Sequence, residues 1–102
     1  MQITDHLEQS RFELIIDEHV TAIEIYELTG DRIMLYHTEV LESFMNQGLA
    51  HILVTKVLAE VRSRGLGVIP ECPYVRGVIA DNPDQYLDLV PADIRLAYDL
   101  PA

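Results

Sequence analysis

The sequence predicts an α/β fold: a mostly antiparallel mixed sheet, one long central helix and short helices toward the C-terminus. Three observations carry this. Three β-rich runs follow one another between Arg11 and Val40, separated by short turn signals. The apolar period then changes from two to about 3.6 over Gly48 to Arg64. Beyond that helix, Pro70, Pro73, Pro83 and Pro91 cut the chain into short pieces.

The first strand is Arg11 to Ile16, which opens with polar–apolar alternation. Asp17-Glu18-His19 is a turn. Val20 to Leu28, with Ala22, Ile23, Ile25 and Tyr26, is the second strand, and Thr29-Gly30-Asp31 the next turn. Ile33 to Val40 is the third. Strict alternation places Ile33, Leu35, His37 and Glu39 on one face and Met34, Tyr36, Thr38 and Val40 on the other. Both faces start apolar and become polar toward Glu39, so that end is a candidate site mouth.

Ala50, Leu53, Val54, Val57, Leu58 and Val61 form one helical stripe, with Lys56, Glu60, Arg62 and Ser63 largely on the opposite side. Arg62 and Arg64 suit the C-terminal end of the dipole, and Gly65 is a natural stop. Val68-Ile69 is a short buried strand beside the third, reached by a crossover expected to be right-handed. Pro73 fits the first position of a new helix with Cys72 at its cap, and Asn82-Pro83 repeats that signal for Asp84 to Val90. The tail from Ala92 to Ala102 reads as one more short helix or a frayed end.

A chain of 102 residues that is 49% hydrophobic supports one compact domain, with a core from about residue 11 to 90 and a C-terminal extension over 91–102. One cysteine, Cys72, excludes an internal disulfide and a Cys-cluster zinc site. His6, His19, His37 and His51 lack metal-site spacing, so no metal is predicted, and Asp81, Asp84, Asp88 and Asp93 read as a solvated face. A net charge of −10 argues against nucleic acid and anionic membranes, which select basic surfaces, and is compatible with a cationic partner or with solubility alone. Met1 to His6 lacks a signal-peptide pattern and no apolar run is long enough to span a bilayer, so the expected location is cytoplasmic.

The most informative stretch is Asn46-Gln47-Gly48-Leu49-Ala50-His51, a small-residue turn between an apolar strand and the long helix. A bare helix N-terminus presents backbone N–H groups and the positive end of the dipole, which suits a phosphate or pyrophosphate. Gly48 lets a ligand approach the backbone. An ordinary strand-to-helix connection with one glycine has the same appearance.

Taken with that turn, Tyr36-His37-Thr38-Glu39-Val40, Leu53-Val54 and Val68-Ile69-Pro70-Glu71-Cys72-Pro73-Tyr74-Val75 match in order and spacing a small branch of the GCN5-related N-acetyltransferases. The chain resembles that family from about Phe12 to Val90. The resemblance implies a GCN5-related fold, acetyl-CoA as cosubstrate in a cleft between two splayed strands, and acetyl transfer to a primary amine on a small molecule or a protein. It implies that Gln47, Gly48, Leu49, Ala50 and His51 meet the pyrophosphate. The backbone around Val40 and Leu41 would pair with the pantetheine arm, and an N–H there would face the developing oxyanion. Met45 stands where the family has a basic residue or Gln, and Asn46 where it often has Gly, which points to weaker coenzyme binding. Only Asp17-Glu18-His19 joins the first two strands, so the acceptor site is expected to be open.

Within that frame Tyr74 is a candidate proton donor to the departing thiolate, although packing at a helix start would also explain it. Cys72, beside a helix N-terminus, is a candidate nucleophile, with His37 or Glu39 as base. Burial as a small apolar residue is the alternative for Cys72, and a hydrogen-bonded structural role for His37. Direct transfer to the amine is preferred to an acetyl-Cys72 intermediate. Arg76 is placed to reach a coenzyme phosphate or to balance carboxylates. The competing function is a catalytically weak or inactive coenzyme A-binding or interaction module. An exposed sheet edge would allow a homodimer.

Overall fold

The computed structural model describes residues 1–102. Five strands form one sheet in sequence order: β1 (Gln2–His6), β2 (Arg11–Ile16), β3 (His19–Thr29), β4 (Arg32–Val40) and β5 (Gly67–Ile69). The first four are antiparallel neighbours, and β5 runs parallel to β4. The parallel pairing follows from its connection, because the long helix α1 (Leu49–Ser63) carries the chain back before β5 begins. After β5 come α2 (Pro73–Asp81) and the single turn α3 (Pro83–Tyr86). No helix is long and apolar enough to cross a membrane.

The expected meander and helix are present. On α1, Leu49, Leu53, Val54, Val57, Leu58 and Val61 are buried. They join Phe12, Leu14, Ala22, Tyr26, Ile33 and Leu35 of the sheet, Cys72 at the cap of α2, and Val75 and Ile79 of α2, in one core cluster. Gly65 ends α1 with φ +71°, a left-handed conformation that costs glycine nothing.

Four features differ from the sequence reading. The strand β1 carries no strand signal in the sequence, because Ile3 is its one apolar residue. It is held by its ladder to β2 and by Asp5, which accepts hydrogen bonds from the Tyr26 hydroxyl (2.6 Å) and from Arg64 beyond α1 (2.8 Å). The second difference lies in β4. Tyr26 pairs with Leu35 and Ile25 with His37, which leaves Tyr36 without a partner. This bulge reverses the side-chain phase. Thr38 and Val40 therefore follow Ile33 and Leu35 on the core side. His37 and Glu39 turn to the outer face, where their side chains are more than half exposed and lie 3.4 Å apart.

The third and fourth differences are C-terminal. In place of one helix over Asp84 to Val90, α3 stops at Tyr86 and a 3₁₀ turn covers Leu87–Leu89. The tail forms two further 3₁₀ turns, Ala92–Ile94 and Leu96–Tyr98, and does not fray. Val90 and Leu100 are buried in the core cluster, and the Tyr98 hydroxyl donates to Glu71 (2.8 Å). A Cβ on Gly67 would lie 2.9 Å from Pro91, so the bare backbone of β5 lets the tail pack closely.

Candidate functional site

The site is built where β4 and β5 part. Their ladder covers only Arg32–Met34 against Gly67–Ile69. Pro70 then ends β5, and the Glu71 N–H turns back to the Ile69 carbonyl (3.0 Å). One further bond, from the Cys72 N–H to the Leu35 carbonyl (2.8 Å), pins the start of α2 against β4. From Tyr36 to Val40 no strand lies on this side of β4. The result is an open edge five residues long, bounded by Cys72 at one end and the turn into α1 at the other.

The backbone phase of that edge corrects one expectation. The Leu41 N–H donates to the Thr21 carbonyl at 2.9 Å, so it is already engaged and is not a free oxyanion donor. Because antiparallel ladders alternate, the N–H and C=O of Val40 point away from β3 to the open edge. An extended amide chain can add there as a further strand.

Past Leu41, a 3₁₀ turn over Glu42–Phe44 leads into Met45, Asn46 and Gln47. Met45 is 54% exposed and offers no charge. Asn46 and Gly48 both adopt positive φ, +65° and +73°. Gly48 caps α1, and no side chain bonds the helix N-terminus. The backbone N–H groups of Leu49, Ala50 and His51 therefore have no acceptor in the chain. Gln47, Gly48 and His51 are exposed, Ala50 is half-buried and Leu49 is buried. A Cβ on Gly48 would meet nothing within 4 Å, so its left-handed backbone is the constraint there. Gly48→Ala is expected to cost about 1 kcal/mol of stability, from backbone strain alone. A lowered urea midpoint with unchanged slope would show it, whereas a midpoint equal to wild type would refute it.

Beside this N-terminus a groove of about 290 Å³ runs between α1 and α2, lined by His51, Pro73, Tyr74, Gly77, Val78, Asp81 and Asn82. Tyr74, Gly77, Val78 and Asp81 lie at helical spacing along its α2 wall. Tyr74 is 42% exposed. A larger hollow of about 480 Å³ lies between the outer face of α1 and α3, remote from the strand split, and Arg62 and Asp88 already bond each other across it. Arg76 is turned to the carbonyls of Pro70 and Glu71 and packs over the Tyr98 ring, which ties the tail to the start of α2.

Cys72 is the cap residue of α2, with Pro73 in the first helical position. Its thiol makes no capping bond and lies 3.2 Å from the Thr38 hydroxyl. Thr38 in turn donates to Glu24, which is fully buried on the core side of β3 between Phe12 on β2 and Thr38 on β4. Burial pushes the Glu24 carboxyl up to about 8, partly opposed by the Thr38 hydroxyl and the His37 backbone N–H. Glu24 and Thr38 are not among the site residues the sequence points to. The available signal was a carboxylate inside the apolar run Ala22-Ile23-Glu24-Ile25-Tyr26. Of the sequence candidates, the fold gathers Cys72, Tyr74, His51 and the 47–50 turn around the open edge, with Val40 along it. It leaves His37 and Glu39 on the reverse face of β4, flanking Thr38.

Comparison with known proteins agrees with this architecture. The family model described as GCN5-related N-acetyl-transferase matches residues 11–89. The chain is 35% identical over 72 residues to protein NATD1 of Bos taurus, covering 69% of this chain and 64% of that protein. Protein NATD1 of Gallus gallus and of Mus musculus match equally, with 66% of each relative covered. The chain thus spans just under two thirds of the relatives' length. With its mixed sheet, parted β4 and β5, and uncapped helix following β4, this chain belongs to the GCN5-related N-acetyltransferase family.

Proposed function

We propose that the protein transfers the acetyl group of acetyl-CoA to a primary amine. One observation carries the reading: the open edge of β4 runs from the bare N-terminus of α1 to Cys72. A pyrophosphate on the N–H groups of Leu49, Ala50 and His51, an amide arm along Val40, and a thioester near Cys72 would lie in that order. His51 is the one side chain of the groove able to carry positive charge, so binding rests mainly on backbone donors.

The hydrogen-bond chain on Cys72 favours passage through its sulfur over the direct transfer expected from sequence. The Cys72 sulfur attacks the thioester carbon. A new S–C bond forms as the bond to the coenzyme sulfur breaks, and the proton of Cys72 ends on coenzyme A. A neutral amine then attacks acetyl-Cys72. The N–C bond forms, the S–C bond breaks, and one amine proton returns to Cys72. Tyr74 is the phenol placed to deliver a proton to the departing coenzyme sulfur. The exposed His37–Glu39 pair, on the reverse face of β4, is not placed to act as base on an amine at Cys72.

Thermal unfolding with acetyl-CoA, coenzyme A and a phosphate-matched nucleotide tests the binding half. At about a hundred times its dissociation constant, ligand adds about 2.7 kcal/mol, a rise of several degrees for a domain this size. A selective rise is expected. No rise in a folded protein would remove the acetyltransferase reading. A rise without turnover on any amine would instead favour a coenzyme A-binding module.

A further inference from the structure

We infer that Glu24, acting through the Thr38 hydroxyl, is the proton acceptor for the Cys72 thiol, so that the protein holds Cys72 and Glu24 as one proton-sharing pair. Three observations carry it. Glu24 has no exposed surface, and its carboxylate oxygen Oε2 has no hydrogen-bond partner. Oε1 is bonded to the Thr38 hydroxyl. The same hydroxyl is 3.2 Å from the Cys72 sulfur, itself only 3% exposed. A buried carboxyl with an unmet acceptor is unfavourable as packing, and the side-chain hydrogen bonds leaving it run through Thr38 to the molecule's one thiol.

The proton count closes within the chain. With Glu24 ionised, Cys72 S–H donates to Thr38 and Thr38 O–H donates to Glu24. Moving the Cys72 proton to Thr38 and the Thr38 proton to Glu24 gives a thiolate and a neutral carboxylic acid. The total charge stays at minus one, and every contact is kept with its direction reversed. Burial favours the acid form of Glu24, so once its own proton is lost, at about pH 8, the carboxylate is basic enough to compete with the thiolate for the proton they share. His37 and Glu39 face away on the reverse side of β4. Tyr26 on β3 is engaged by Asp5 of β1, with Arg64 beyond α1. Arg11 and Glu13 of β2 bond each other. On the helices, His51 of α1 and Tyr74 and Asp81 of α2 line the groove, and Arg76 bonds loop carbonyls. None of their side chains makes a hydrogen bond or ion pair with the side chain of Glu24, Thr38 or Cys72; the backbone contacts are the His37 N–H toward the Glu24 carboxyl and the Arg76 N–H to the Cys72 carbonyl.

The inference rests on the proposed function only for what the thiolate would attack, so its test uses the free protein. Thiolate ultraviolet absorbance is followed against pH, with Cys72→Ala subtracted as the blank for tyrosine. Groups coupled by more than about one pH unit titrate as a pair in two steps. Wild type is expected to develop its thiolate signal in two steps separated by at least about one pH unit. Glu24→Gln and Thr38→Val are expected to show one step, and Thr38→Ser to restore two. A single wild-type step matching that of Thr38→Val would overturn the inference, as would two steps that persist in Glu24→Gln. Should either variant fail to fold, the other together with Thr38→Ser still decides. A positive titration without an acetyl-CoA response would leave the proton pair standing and remove the acetyltransferase reading.

Discussion

Glu24→Gln is expected to make the protein more stable at mildly alkaline pH and to remove most of its loss of stability between about pH 4.5 and about pH 8. In the unfolded chain Glu24 ionises near 4.5, and in the fold burial holds its proton up to about 8. Between those values the folded state binds the extra proton, so stability falls as pH rises. The fold is free of the ionisation cost below about 4.5 and carries all of it above about 8. A difference of about 3.5 pH units corresponds to about 5 kcal/mol, a large share of the roughly 5–15 kcal/mol that holds a domain together. Glutamine keeps the shape and one carbonyl acceptor for Thr38 but has no charge to bury. Asp88 and Asp93 are held below their ordinary values by Arg62 and Arg32, but both pairs are exposed and act at more acidic pH. Urea unfolding of both proteins across the window measures the effect. Parallel stability curves would show that Glu24 is ionised in the fold and that its burial is relieved in some other way.

Which parts of this arrangement were legible follows from how local their causes are. The stripe on α1 is a property of one segment, so Leu53, Val54, Val57, Leu58 and Val61 could be read as core directly. Cys72 as cap and Pro73 in the first turn were readable because proline states its own position. The phase of β4 was not readable, because one unpaired residue, Tyr36, is defined only against its partner strand. That single residue moved Thr38 inward and His37 and Glu39 outward, and so exchanged which side chains could meet Cys72. Glu24 was hidden for a related reason. Its partner is fourteen residues away on β4, and only the register between β3 and β4 brings them together. β1 depends on Tyr26 and Arg64 for its anchoring, neither of which its own five residues reveal.

Cys72→Ala is expected to lower amine acetylation by about 10²- to 10⁴-fold, the range typical for loss of a group that handles the reacting bond or its proton, while acetyl-CoA still raises the unfolding temperature. The fold should accept the change. Cys72 makes no capping bond to α2, and its anchoring contact to Leu35 is through the backbone N–H, which alanine keeps. Thr38 keeps Glu24 as its acceptor. The N–H groups of Leu49, Ala50 and His51 proposed to hold the pyrophosphate lie on a different helix, so binding and transfer should separate. Tyr74→Phe removes a hydroxyl that is exposed and bonded to nothing else in the chain, and water can reach the same position. Its cost should be smaller, about tenfold or less. Acid-quench mass spectrometry supplies the second reading: one acetyl group on Cys72 in wild type incubated with acetyl-CoA alone, and none in Cys72→Ala. Full activity in Cys72→Ala, with Tyr74→Phe the more damaged, would return the mechanism to direct transfer and leave the Glu24–Thr38–Cys72 chain a structural pair beside the site.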